Sequence, residues 1–460
     1  MIKMIRFFSM LVCASFSLSI EAAWTYTETE DKNGVGPGTI SDGKWTLTAK
    51  RIAKNSMNLK VYAEAGKATG PSELSPMDFT EIEGGFKVVT IGKIFGHLTE
   101  CKEKISELIA PDCTTIEGGT GFGFGGCSKL TKVVLSPEFS SFESKVFSGC
   151  VELAVFSPSE LKVKTIPYQA FLNCNKLATD FTCDNLVTIS DYAFQNCVSL
   201  KKIDAPNLEE ISIKGFLDCT GLLSVKSKSL RLLGAQAFSG CTALDFDLKD
   251  ILGPSLEFLG NTNKNLKTIS GSFLGCSSLK GPLVWDFPNL NPNIVHTNCF
   301  KNCTSLSSVV FKTPVEEIQN GAFLSIAPGA QLFMHKEPPK MFSAQAIGNK
   351  EGPYPKLYIG GDTYDDWLEA IRVDNCMILK GDFNKWNGTI GGKAKSWKDV
   401  AELMESDSAM CTVAGDDTVA LIGEEKRHVQ AFVISADEKG NLYGFWVIKN
   451  PDSGFRVSIR

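Results

Sequence analysis

The chain has 460 residues, a net charge of −5 and 22% charged side chains, so it lacks the basic excess that nucleic-acid binding leaves in a composition. A hydrophobic content of 43% is that of a soluble folded protein. After the first residues no apolar run approaches the length of about 18 that marks a membrane-crossing helix.

Residues 1–23 read as a secretory leader. Lys3 and Arg6 precede an apolar stretch, Phe7 to Ile20, that ends in Ala22-Ala23, the outline of a segment removed on export. The expected location is therefore the cell surface or the medium. A lipid anchor on Cys13 is the less favoured alternative, because the bulky Val12 stands just before it.

Residues 24–78 lack any repeat. Trp24-Thr25-Tyr26-Thr27, Trp45-Thr46-Leu47-Thr48 and Leu59-Lys60-Val61-Tyr62 alternate in side-chain character, and Ser41-Asp42-Gly43-Lys44 supplies a turn. Period-two segments with such punctuation predict β-structure. The first rung of a stack would otherwise expose its core, so this region is expected to cap the repeats that begin near Phe79.

From Phe79 a phrase emerges, irregular until Cys127 and then regular. Its fullest copy is Tyr192-Ala193-Phe194-Gln195-Asn196-Cys197-Val198-Ser199-Leu200-Lys201-Lys202-Ile203. It returns around Phe124, Phe147, Phe171, Phe216, Phe238, Phe273, Phe300 and Phe323. The cysteines at 127, 150, 174, 197, 219 and 241 are separated by 23, 24, 23, 22 and 22 residues, and those at 276 and 303 follow after 35 and 27. A period in the low twenties is a solenoid signature. Within each unit a Leu and an Ile or Val three residues on predict a short strand, as in Leu130…Val133, Leu153…Phe156, Leu200…Ile203, Leu222…Val225 and Leu306…Val309. A second Leu-x-x-Ile element comes next, as in Leu186…Ile189 and Leu208…Ile211, and Ala-Phe-x-x-Cys turns the chain back. The recurring residues are apolar and are expected inside. The eight cysteines of the column are read as small buried residues, because parallel side chains in register do not converge to the Cβ separation of a disulfide. Cys101 with Cys113, and Cys376 with Cys411, lie off the column and are the better candidates for bridges.

These repeated words resemble the BspA-like leucine-rich repeats of bacterial surface proteins, in which an isoleucine is followed by Ala-Phe-x-x-Cys-x-x-Leu and a strand. The resemblance covers roughly residues 80 to 372 and is carried best by Ala170–Leu177, Ala193–Ile203, Ala237–Leu244 and Ser272–Leu279. It implies a β-rich solenoid of about 9–11 rungs of 22–24 residues over residues 79–372, and a non-enzymatic role in adhesion. Insertions at 245–268 and 280–293 depart from the pattern, and Ile326 stands where a cysteine is due. The last unit, through Pro338-Pro339-Lys340-Met341-Phe342 and Pro355–Ile359 to a predicted helix at Tyr364–Ala370, is similar to the closing strand and helix of such arrays.

Residues 373–460 change character. Ser396–Met404 predicts a helix with Ser396 at its N-cap, His428–Ser435 and Leu442–Ile448 predict a hairpin, and Phe455–Ile459 predicts a last strand. Together they are expected to form a small α+β module.

Signals for chemistry are weak. Gly121–Gly126 spells G-x-G-x-x-G, but Phe124 belongs to the repeat, so the strand-to-helix setting of a dinucleotide site is missing. Cys299 and Cys303 have no further ligands at zinc spacing. The four histidines fall in distant regions, with no nucleophile motif beside them. No cofactor, metal or catalytic residue is expected. What remains is binding by the outward residues of the strands, the face solenoids use: Lys132, Val134, Lys202, Asp204, Ser224, Lys226, Ser308 and Val310. The expected function is that of an exported, adhesin-like protein binding another protein or a surface polymer. The alternatives are a glycan-binding or glycan-degrading accessory protein acting through residues 373–460, and a passive structural surface protein.

Overall fold

The computed structural model describes residues 23–29, 37–117, 123–245, 251–260 and 271–335, with short stretches at 341–342, 346–348, 356–361, 371–374, 379–381, 428–436, 442–449 and 456–458. The chain winds as a β-solenoid of about ten turns, marked by a row of phenylalanines from Phe95 to Phe323. Helical structure among the described residues is confined to 3-10 turns at Glu83–Gly85 and Thr99–Lys104.

Each rung has three sides. The first is the predicted Leu-x-x-Val strand. Ser75–Asp78, Ile105–Ala110, Lys132–Leu135 and Val155–Ser157 pair in parallel; so do Phe181–Thr182, Lys202–Asp204 and Ser224–Lys226, and then Leu283–Trp285, Ser308–Phe311, Gln331–His335 and Lys356–Gly361. The second side is the shorter Leu-x-x-Ile element. Thr165–Ile166, Thr188–Ile189, Glu210–Ile211, Leu232–Gly234 and Phe258–Gly260 form one parallel sheet on it. The third side is the Ala-Phe-x-x-Cys turn, joined to the next rung by backbone bonds such as Phe171 N–H to Ala193 O at 2.8 Å and Phe194 N–H to Gly215 O at 2.8 Å. Strand alternation sends Val133, Phe156, Ile203, Val225 and Val309 inward, each at most 1% exposed. Ile326 takes the cysteine's place in its rung and is buried too.

The corner of the third side bends the chain with two left-handed residues per unit. One stands two before the phenylalanine (Lys145, Gln169, Tyr192, Lys214, Gln236) and the other just before the cysteine (Asn173, Asn196, Asp218, Gly240, Gly275, Asn302). Positive φ is cheap for glycine and tolerable for asparagine and aspartate, which accounts for the residue types found before the cysteines.

At the start of the chain, strands β1 (Thr25–Thr27), β2 (Gly38–Ser41), β3 (Thr46–Arg51) and β4 (Asn58–Tyr62) form an antiparallel meander, and β4 then pairs in parallel with Lys87–Ile91. Trp24 bridges back to Ile82. Trp45 is fully buried, its indole N–H donating to Pro76 O at 2.9 Å. At the other end Lys356–Gly361 pairs antiparallel with Ile371–Asp374, and His428–Ala436 pairs antiparallel with Leu442–Lys449. The helices expected at 364–370 and 396–404, and Cys13, Cys376 and Cys411, lie outside the described residues.

The bridge expected between Cys101 and Cys113 is absent: both are free and buried. Their sulfurs have other neighbours. Cys113 Sγ donates to Thr115 O at 3.3 Å, while Cys101 Sγ fills the space over Gly70, where an added Cβ would come within 2.4 Å of it.

Candidate interaction surface

The interior explains what the conspicuous letters of the repeat do. From Phe171 to Phe323 the rings stack nearly face to face, 5.3–5.5 Å apart and within 13° of parallel. Beside them runs a ladder of thiols. Cys150, Cys174, Cys197, Cys219, Cys241, Cys276 and Cys303 each donate Sγ–H to the carbonyl of the phenylalanine one rung back, at 2.9–3.1 Å. Phe171 O, for example, accepts both Cys174 N–H at 3.1 Å and Cys197 Sγ at 3.1 Å, so both lone pairs of a buried carbonyl are used. The column is therefore more than small apolar filler: each thiol satisfies an acceptor that alanine would leave short. Burial pushes the Cys150 thiol up to about 12, against a weaker opposing bond from Cys127. The thiolate needed for nucleophilic or metal chemistry is thus disfavoured at neutral pH. Cys299 is buried with the column, and desolvation raises its thiol as well.

Among the described residues no group of three or more His, Cys, Asp or Glu side chains is arranged to hold a metal, and no helix is long and apolar enough to cross a membrane. Phe124, inside the Gly-rich run, is fully buried in the phenylalanine row. His97 is exposed, while His296 lies half-buried some rungs away.

The outward residues of the first side remain. Lys132, Val134, Lys202, Asp204, Ser224 and Ser308 are half-buried and Lys226 is exposed. Register brings four of them together: Lys202 stands beside Ser224, and Asp204 beside Lys226. Lys132 and Val134 lie on the earlier sheet, in rows with Glu107 and Ile109, and Ser308 lies on the later one. Val310 does not belong to the surface. It is 2% exposed, in a strand whose Val309 and Phe311 are also buried. Its register position lies between Val284 and Phe333 on the neighbouring strands. Two of the lysines already have carboxylates near them, Lys132 with Glu107 at 3.5 Å and Lys202 with Asp204 at 3.8 Å. Such exposed pairs are loose enough to be exchanged for a partner's charge.

Two features escaped the pattern of the sequence. Phe95 opens the phenylalanine row, its ring 5.4 Å from Phe124; Ile94-Phe95 with Leu98 in the cysteine's place was the signal for that extra rung. On the outer corner Tyr168 and Tyr192 meet edge to face at 6.0 Å, with Lys145 and Lys214 over their rings. Lys145, Tyr192 and Lys214 share the position two before the phenylalanine, while Tyr168 stands three before Phe171, so the repeat spacing does not bring the four together on its own.

No curated protein matches the sequence. Among solved structures the chain is similar to a leucine-rich repeat protein of T. pallidum, with 16% identity over 47% of this chain and 91% of that one and a TM-score of 0.35. It is also similar to a leucine-rich repeat protein from Bacteroides ovatus, with 18% identity over 68% of this chain and 94% of that one and a TM-score of 0.21. The model of the BspA type leucine rich repeat region matches residues 99–223 and 209–332, in six copies. With the rungs, the phenylalanine row and the thiol ladder lying on those same residues, the chain belongs to the BspA-type leucine-rich repeat family.

Proposed function

We propose that this chain is an exported interaction protein without enzymatic activity of its own, whose first-side face binds another protein or a surface polymer. The observation that carries the reading is the register. Interior positions are occupied by recurring letters, while the letters that vary are aligned rung on rung into an outward face, with Lys202, Asp204, Ser224 and Lys226 as its densest described part. Membership of a bacterial repeat family supports the same reading. In it, residues 24–78 cap the stack, residues 79–372 form the binding solenoid and residues 373–460 are a further module.

The test is binding of the full chain to immobilised extracellular-matrix proteins and to a glycan array, with the double variant Lys202→Glu/Lys226→Glu alongside. The expected result is a hit that the double variant weakens at least tenfold at unchanged melting temperature. A hit that the variant leaves intact removes the face from contention. Absence of any hit, with the protein found on intact cells by surface proteolysis, favours a passive structural role.

A further inference from the structure

The outer corner between the second and third sides carries a row of side chains that the core does not use. Lys145, Tyr168, Tyr192 and Lys214 stand on four consecutive rungs, Lys145 N–H donating to Tyr168 O at 2.9 Å. Tyr168 is 38% exposed and meets Tyr192 edge to face at 6.0 Å. The lysines at the two ends lean toward the middle, Lys145 Nζ 5.5 Å from the centre of the Tyr168 ring and Lys214 Nζ 5.4 Å from that of Tyr192. Lys132, Lys162 and Lys176 each reach a carboxylate one rung back; among the described residues Lys145 and Lys214 are in no such pair. The acid nearest in sequence, Asp191, is held by backbone, its Oδ1 accepting from Ile213 N–H at 3.0 Å. The row is therefore aromatic in the middle and cationic at both ends.

Backbone conformation points the same way. Lys145, Tyr192 and Lys214 have φ of 61°, 58° and 56°, values that large side chains seldom adopt. At the same place in later rungs stand Asn298 and Gly321, for which this conformation is easier. The corner can thus be turned with less strain than these lysines and this tyrosine impose, and strain held at a surface is a pointer to use of the side chains.

The spacing selects the shape of a ligand. Three rungs separate the positions of the lysines, about 14 Å along the stack at a strand spacing of about 4.8 Å. An extended peptide advances about 3.4 Å per residue and turns alternate side chains to the same side. Carboxylates four residues apart on it cover that distance and face one way, and the residue midway faces with them. In a helix four residues advance only about 6 Å, which falls short. We propose that this corner is a second binding site, separate from the first-side face, for an extended acidic segment of a partner protein with the pattern acidic-x-apolar-x-acidic. Each carboxylate takes a lysine from its ring, and the apolar side chain takes its place against the tyrosines. Cation–π contacts at exposed sites are weak, so the exchange is easily made, and tyrosine is a residue type on which interface energy concentrates.

The experiment is fluorescence anisotropy of a rhodamine-labelled peptide, Gly-Ser-Glu-Ala-Val-Ala-Glu-Ser-Gly, titrated with the full chain. The expected result is saturable binding that weakens with added salt. It should weaken by about tenfold when both glutamates are glutamine, and by about tenfold in Lys145→Gln/Lys214→Gln at unchanged melting temperature. A peptide of the same composition with the two glutamates adjacent should also bind more weakly, and Lys202→Glu/Lys226→Glu should bind the original peptide as the native chain does. Absence of binding, or equal binding of the glutamine peptide, overturns the proposal and leaves the first-side face untouched; both comparisons use the native chain and do not depend on how the lysine variant folds. Binding lost in Lys202→Glu/Lys226→Glu and kept in the corner variant overturns it in favour of the first side. Tighter binding of hexagalacturonate than of the peptide, lost in the corner variant, overturns the peptide assignment in favour of an acidic glycan.

Discussion

Cys197 illustrates how much one letter of the repeat does. It is fully buried, and its thiol reaches Phe171 O at 3.1 Å. Cys197→Ala removes the donor together with the buried sulfur. The carbonyl retains the bond from Cys174 N–H, so the expected loss is about 1 kcal/mol, the net worth of one hydrogen bond. Cys197→Ser, which restores a donor, should lose less than a change that only empties the site, as measured by urea denaturation. The thiols themselves should resist alkylation in the native chain and react on unfolding; rapid labelling of the folded protein would contradict their burial. The neighbouring Asn196 has φ of 61° and donates to Asn173 Oδ1 at 2.7 Å. Asn196→Ala should destabilise by roughly 1–2 kcal/mol because a Cβ without a polar tip fits the left-handed region poorly. Periodicity made the inward direction of Phe and Cys legible. It could not say which atom a thiol touches, because that depends on the rung behind.

A rung is stable only against its neighbours. Phe194 lies between Phe171 and Phe216, 5.3 and 5.4 Å away, so Phe194→Ala should cost about 3–5 kcal/mol. Stacks couple nearest neighbours, and hydrogen exchange should speed first in the rungs on either side. A melting curve unmoved by the substitution would refute the inward assignment. His296 provides a pH handle on the same scale. Burial lowers its imidazole, with Gln319, Glu317 and Leu259 O acting in the opposite direction. A lowered folded value means the unfolded chain takes up the proton first. The stability due to neutral His296 is therefore full above about pH 6.5 and is lost as the pH falls through the folded value. The urea midpoint should drop between pH 7.5 and 5.5, and by less in His296→Gln. Strand positions were legible from Leu-x-x-Val spacing, whereas the burial of Val310 was not. Alternation alone assigns it outward, and its 2% exposure does not follow from spacing.

For the whole molecule, about ten stacked rungs align outward strand positions in register along one side. The repeated letters disclosed the fold because they answer to the same packing constraint in every rung. The partner of the proposed face was not legible, because the packing that fixes the inward letters places no constraint on the outward ones. The central claim is that the first side, and not the second, is the binding face. It is tested most directly by taking the tightest-binding member of the matrix-protein and glycan panel and measuring its Kd against Lys202→Glu/Lys226→Glu and against Thr188→Lys/Glu210→Lys, whose residues lie on the second side. The expected result is a loss of at least tenfold for the first pair and less than twofold for the second, at equal melting temperatures. Weaker binding by the second pair with the first unaffected would contradict it.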